Sequence, residues 1–224
     1  MTSERPRLRG LYAVTPAIAD TAALCARVRE ALAGGAAMIQ YRAKDAPREL
    51  ALEQARGLAA LCADAGVPFI VNDSLDLALE VDAGGVHLGR DDVDAREARR
   101  RMPRGLIGVS CYADPERARI AARAGADYVA IGSVFPSSTK PGAVRAQLSL
   151  LAEARAVSGL PVVAIGGITA RNAGEAIAAG ADMVAVISAL FDAPDIRAAA
   201  REIARLFNES PRGAHDVRAQ PRAV

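Results

Sequence analysis

A chain of 224 residues, 51% hydrophobic and 24% charged, is sized and mixed for one soluble globular domain with a substantial core. A net charge of +2, scattered basic residues and 4% aromatics leave neither an electrostatic footprint nor a stacking surface for nucleic acid. No apolar run nears the ~18 residues of a membrane span, and the basic stretch Met1 to Gly10 lacks the apolar core of a signal peptide. The expected location is therefore the cytoplasm, with no membrane partner.

In chain order, short apolar runs alternate with helical patterns. The strand candidates are Leu11 to Thr15, Met38 to Arg42, Pro68 to Asn72, Gly85 to Leu88, Leu106 to Ser110, Tyr128 to Gly132, Pro161 to Ile165 and Met183 to Ile187. Helical patterns cover Ala22 to Leu32, Pro47 to Ala65, a short piece at Leu75 to Leu79, Asp114 to Ala124, Leu148 to Val157 and Asp195 to Asn208. Pro47 and Pro115 suit first helical turns, and Asp114 is a natural N-cap. Glycine punctuation recurs between helix and next strand, at Gly34-Gly35, Gly84-Gly85, Gly125-Ala126-Asp127 and Gly180-Ala181-Asp182. Repeated turns of one kind imply repeated βα units. Eight of them in about 200 residues predict an α/β chain with parallel strands closed into a single (β/α)8 TIM barrel. That domain is expected over residues 1–208, followed by a disordered tail over 209–224 whose sequence is polar and aperiodic.

The cysteines are Cys25, Cys62 and Cys111, an odd number without a Cys-x-x-Cys pattern. Disulfides and structural zinc are not expected. Cys25 and Cys62 fall in helical runs as small hydrophobes. Cys111 follows a strand, yet neither His87 nor His215 is a sequence partner to act as its base, so packing is its expected role.

In a barrel of this kind the strand C-terminal ends and βα loops converge on one mouth. Gln40 and Arg42 share one face of the second strand by its period of two, which implies either a polar site or an internal salt bridge. Arg42 and Lys44 together suit a phosphate or diphosphate. Asp73 and Asp92 close adjacent strands and suit magnesium, which takes one or two carboxylates and completes its shell with water and substrate phosphates. The competing reading makes Asp73, and Asp91 or Asp92, helix N-caps. His87 reads as a hydrogen-bonded strand residue. The loop from Gly132 to Gly142 offers Ser137, Ser138, Thr139 and Lys140 to an anion, although an ordinary polar connection has the same composition. Gly166-Gly167 and Ile187-Ser188 lie at the ends of strands seven and eight, the common phosphate site of such barrels.

Taken together, Gln40-Tyr41-Arg42-Ala43-Lys44, Asn72-Asp73, His87 to Asp92, Gly108-Val109-Ser110, Gly132 to Lys140, Ile165 to Ile168 and Val186-Ile187-Ser188 resemble the thiamine-phosphate synthase family, over roughly Leu11 to Phe207. That resemblance implies a transferase that joins hydroxymethylpyrimidine diphosphate to hydroxyethylthiazole phosphate, with Mg2+ as cofactor, releasing diphosphate. It implies that Gln40, Arg42, Lys44, Asn72, Ser110 and Lys140 hold the pyrimidine diphosphate, and that Asp73 and Asp92 bind the metal. It assigns the thiazole phosphate to Ser137, Thr139, Gly167, Ile187 and Ser188, and the catalytic work to Arg42, Ser110 and Lys140. The implied reaction is dissociative, through a carbocation captured by the thiazole nitrogen, and asks for no protein nucleophile or general base.

The chain departs from the family pattern at Ser133, Ser137 and Cys111-Tyr112, where proline, threonine and a small residue followed by histidine are usual. A thiazole tautomerase of the same fold is the nearest alternative and would need an acid/base group but no metal pair. A non-catalytic sensor of thiamine phosphate and an unrelated phosphate-handling barrel enzyme are further alternatives. Partners are small-molecule substrates, and homo-oligomerisation stays open.

Overall fold

A computed structural model of the chain describes residues 8–136 and 144–209. The strands are β1 (Gly10–Val14), β2 (Ala36–Tyr41), β3 (Phe69–Asn72), β4 (Gly85–Leu88), β5 (Leu106–Tyr112), β6 (Tyr128–Gly132), β7 (Val162–Ile165) and β8 (Met183–Val186). They pair in sequence order, all parallel, and β8 closes onto β1 to complete the expected barrel. Around it run α1 (Thr21–Ala33), α2 (Arg48–Ala65), α3 (Leu75–Glu80), α4 (Ala95–Arg101), α5 (Pro115–Ala124), α6 (Ser149–Ser158), α7 (Ala173–Ala178), α8 (Ser188–Phe191) and α9 (Ile196–Glu209). Among the described residues no helix is long and apolar enough to cross a membrane.

Strand alternation sorts the side chains into two apolar layers. Leu11, Ile39, Val71, Ile107 and Val129 face the helices, while Tyr12, Met38, Ile70, Tyr128 and Val163 fill the barrel interior. Fully burying one such aliphatic side chain stabilises the fold by about 1.5–3 kcal/mol, which makes this alternation the main source of register. Helix starts follow from polar caps. Asp20, Ser74, Asp94 and Asp114 accept from the backbone N–H of Ala23, Leu77, Arg96 and Glu116.

The two Gly-Ala-Asp turns have a shared mechanism at the N-terminal end of the barrel. The Asp127 N–H donates to the Ile107 carbonyl at 2.7 Å, and the Ile107 N–H returns a bond to the Asp127 carboxylate at 2.8 Å. Asp182 repeats this with Val162, at 2.7 and 2.8 Å. Each carboxylate also pairs with an arginine, Arg99 or Arg155. Each motif therefore clamps the start of one strand to the start of the next.

Three details differ from the sequence reading. β5 runs on to Tyr112 through an irregularity in its pairing with β6 between Ser110 and Tyr112. Helices α4, α7 and α8 occupy stretches for which the sequence reading placed no helical segment, and α9 extends to Glu209, one residue past the expected domain end. The expected tail, from 210 onward, lies outside the described residues, as does 137–143.

Candidate active site

Gln40 is the last inward-facing residue of β2 and is buried, its Nε2 donating to the Tyr12 hydroxyl at 2.6 Å. Beyond the strand, the Arg42 N–H donates to Thr15 Oγ1 at 2.9 Å, tying the β2 loop to the end of β1. Lys44 Nζ then stands 3.7 Å from Asp73 Oδ2 on the first residue after β3. Asn72, the last residue of β3, is in register with His87 of β4.

Asp73 and Asp92 come together. Asp73 has φ +65°, a left-handed conformation that few residues other than Gly, Asn and Asp adopt readily, and its N–H donates to the His87 carbonyl at 2.8 Å. Burial first, then the Asp92 carboxylate beside it, push the Asp73 carboxyl above its usual range, while Lys44 and Arg42 pull it back. Asp92 accepts the Gly89 N–H at 2.6 Å. A Cβ at Gly89 would lie 3.1 Å from Asp92 Oδ2 and 4.0 Å from Asp73 Oδ1, so the glycine leaves the space under both carboxylates open. The helix-cap reading does not hold, because Ser74 caps α3 and Asp94 caps α4. With no capping role, two acidic side chains pressed together beside two cations form a donor set that fits a hard divalent ion such as magnesium. Among the described residues no group of three or more His, Cys, Asp or Glu gathers that could hold a metal ion of any kind, so the protein would offer such an ion these two carboxylates alone.

Ser110 sits on β5 with its hydroxyl 2.9 Å from His87 Nε2. Strand alternation after Ile107 and Val109 places Cys111 in the helix-facing layer, where burial pushes its thiol up to about 12, in keeping with a packing role. Tyr112, at φ +57°, packs back over the β4 loop: it accepts the Arg90 N–H at 3.3 Å, and Arg90 and Arg117 lie over its ring at 4.9 and 5.5 Å. Sequence reading missed these two arginines as partners of Tyr112. It also missed Tyr12 and Tyr128, whose only signal was a phenol at an inward position of an otherwise apolar strand.

The loop after β6 is described only as far as Pro136. Val134 and Phe135 donate backbone N–H groups to Ile165 and Gly166, both at 3.0 Å, and Ala146 returns to the Ser133 carbonyl at 2.9 Å. The chain therefore leaves along the end of β7 and returns at Ala146 against Ser133, just past the end of β6. Gly166 and Gly167 permit this: a Cβ on either would stand 2.1 Å from Ser133 Oγ or from the Pro136 carbonyl oxygen. Ile187 follows β8 directly and Ser188 opens α8. The structure thus brings Gln40, Arg42, Lys44, Asn72, Asp73, Asp92, Ser110, Gly167, Ile187 and Ser188 to the C-terminal ends of the strands. Ser137, Thr139 and Lys140 lie outside the described residues.

A closed parallel barrel whose mouth joins paired carboxylates, basic side chains and hydroxyls defines a (β/α)8 enzyme built for anionic substrates. Residues 11–190 match the family model described as thiamine monophosphate synthase, and the chain belongs to that family. It is 55% identical over 203 residues to the thiamine-phosphate synthase of Aromatoleum aromaticum, covering 90% of this chain and 98% of the relative. To that of Thiobacillus denitrificans it is 56% identical over 203 residues, covering 90% and 96%. Among solved structures, thiamine phosphate pyrophosphorylase from Pyrococcus furiosus superposes with a TM-score of 0.81 at 39% identity, covering 91% of this chain and 97% of that one.

Proposed function

We propose that the chain joins 4-amino-2-methyl-5-hydroxymethylpyrimidine diphosphate to hydroxyethylthiazole phosphate, giving thiamine phosphate and diphosphate, with Mg2+ held by Asp73 and Asp92. The observation that carries the metal assignment is the uncapped carboxylate pair facing Lys44 and Arg42. When bound, magnesium would neutralise charge on the diphosphate oxygens.

The reaction breaks the bond between the pyrimidine methylene carbon and the diphosphate oxygen, and its electron pair leaves with the diphosphate. The thiazole nitrogen then gives its lone pair to that carbon. Charge builds on the leaving diphosphate, so the useful protein groups are cations and donors aimed at it: Arg42, Lys44, Ser110 and Lys140, with Asn72 alongside. Gln40 would hold the pyrimidine. Gly167, Ile187 and Ser188, together with Ser137 and Thr139, would hold the thiazole phosphate at the opposite side of the mouth. Alignment of the two rings and exclusion of water from the cation supply the rest. The location in keeping with this reading is the cytoplasm.

No proton needs to be moved by the protein, and the buried groups agree. Both ring nitrogens of His87 are engaged in hydrogen bonds and burial lowers its pKa to about 4, which suits a fixed structural group better than the acid/base group a tautomerase needs. The test is diphosphate release from both substrates with and without magnesium, for the unaltered chain and for Asp92→Asn, which keeps an oxygen for the Gly89 N–H. Release that needs the metal and falls at least a hundredfold in the variant supports the assignment; full activity of Asp92→Asn with unchanged magnesium dependence would rule it out.

A further inference from the structure

Beneath the mouth runs a continuous chain of polar side chains, buried as far as the half-buried Ser110, whose three middle members the reaction itself does not call for. Gln40 Nε2 donates to the Tyr12 hydroxyl at 2.6 Å, Tyr12 and Tyr128 share a bond of 2.8 Å, Tyr128 reaches His87 Nδ1 at 3.2 Å, and His87 Nε2 reaches Ser110 Oγ at 2.9 Å. The chain crosses the barrel interior from β2 through β1, β6 and β4 to β5, and it joins two residues placed against the substrate. Room for it is made deliberately: a Cβ at Gly108 would stand 2.1 Å from Tyr128 Cζ and 2.3 Å from its hydroxyl. The Tyr128 ring is stacked on His87 and meets Tyr12 edge-on, so neither phenol can turn away without repacking the interior.

The proton count along this chain has a direction. An amide nitrogen only donates, so Tyr12 accepts from Gln40, and its own buried proton is satisfied by donation to the Tyr128 hydroxyl 2.8 Å away. Tyr128 then donates to His87 Nδ1. A neutral imidazole that accepts at one nitrogen donates at the other, so His87 Nε2 donates to Ser110, and the Ser110 proton is left to point into the mouth. Burial keeps every member neutral near pH 7, pushing both phenols up and the imidazole down. Turning the Gln40 amide over would reverse each bond in the row. Ser110 would then spend its proton on His87 and present lone pairs to an anion.

We propose that Tyr12, Tyr128 and His87 are positioning residues, forming a one-way hydrogen-bond chain that lets Ser110 donate to the diphosphate only while Gln40 turns its carbonyl oxygen toward the pyrimidine. The inference rests on the reading of Ser110 as a diphosphate contact. Its consequence is that the two ends are set together. A pyrimidine that offers Gln40 a donor, as an exocyclic amine does, orders the chain in the sense that favours departure of the diphosphate; a ring offering an acceptor reverses it.

Two measurements on the full chain test this. The first is side-chain 15N NMR of the unaltered protein with magnesium and inorganic diphosphate bound. His87 is one of only two histidines, and its signals are assigned by comparison with His215→Gln. The expected result is a neutral ring protonated at Nε2; protonation at Nδ1 in the bound state would overturn the proposal. The second is calorimetry of inorganic diphosphate with magnesium for Ser110→Ala, Tyr128→Phe and the double variant. Each single change is expected to weaken binding roughly tenfold, the worth of one hydrogen bond to a charged group, and the double variant to bind no more weakly than Ser110→Ala. Additive losses, or an unchanged affinity in Tyr128→Phe beside a weakened Ser110→Ala, would refute the coupling and leave Ser110 as a contact. An unchanged affinity in Ser110→Ala would remove the contact and the coupling together.

Discussion

Asp73→Asn is expected to stabilise the metal-free protein while abolishing its use of magnesium. The Asp73 carboxyl is raised by burial and by Asp92, so the folded chain holds that proton more tightly than the unfolded chain does. The sign follows: below the ordinary carboxylate range the group is protonated in both states and costs nothing, and as pH rises toward the folded-state value ionisation increasingly disfavours the fold. Two carboxylates about 4 Å apart near a surface repel by about 4 kcal/mol at an effective dielectric of 20. Lys44 at 3.7 Å returns part of this, and with 35% of the Asp73 side chain exposed, solvent screening reduces the remainder to about 1 kcal/mol. Asparagine keeps the shape and tolerates the left-handed backbone. For a chain of this size about 1 kcal/mol raises Tm by roughly 2–4 °C. The assay is differential scanning calorimetry at pH 8 and pH 4 with chelator, then with magnesium. The variant should melt higher at pH 8 and equally at pH 4, and only the unaltered chain should gain from magnesium, by about 2.7 kcal/mol at a hundredfold excess over Kd. A lower Tm for the variant at pH 8, or equal gains from magnesium, would refute the electrostatic reasoning.

Two other outcomes follow from named contacts. Asp127→Ala removes the acceptor of the Ile107 N–H and leaves Arg99 without its carboxylate, and should lower stability by about 3–5 kcal/mol in urea unfolding, with the catalytic rate of the folded fraction unchanged. Cys111→Ala should keep full turnover, and at pH 8 thiol alkylation should reach Cys25 well before Cys62 or Cys111, whose thiols burial pushes up to about 12; loss of activity in Cys111→Ala would reopen a covalent route.

Much of the fold was legible because eight β-branched runs carry their own punctuation. Every strand lies within two residues of its expected bounds at either end. The helices that escaped notice have local causes. α4 reads Ala-Arg-Glu-Ala-Arg-Arg-Arg and buries only two alanines, so it carries almost no apolar period; α7 is six residues with an internal glycine, and α8 is a single turn that continues an apolar run. In the site, Gln40, Asp73, Asp92 and Ser110 were visible as polar residues where strands end. Whether Asp73 and Asp92 were helix caps was not visible, since the cap and metal readings use the same residues; in the structure Ser74 and Asp94 take the caps. The tyrosines of the interior chain were hidden for a different reason: a phenol within an apolar strand looks like core until its neighbours across the barrel are known. The Gly-Ala-Asp turns were read for their glycines, while the aspartates hold the strands.

The most direct test of the assigned reaction is product stoichiometry with the purified chain. Given magnesium, pyrimidine diphosphate and thiazole phosphate, it should form thiamine phosphate and diphosphate in a one-to-one ratio, with negligible diphosphate when the thiazole is withheld. Diphosphate without thiamine phosphate would show hydrolysis in place of coupling, and no product beside an active relative would contradict the assignment altogether.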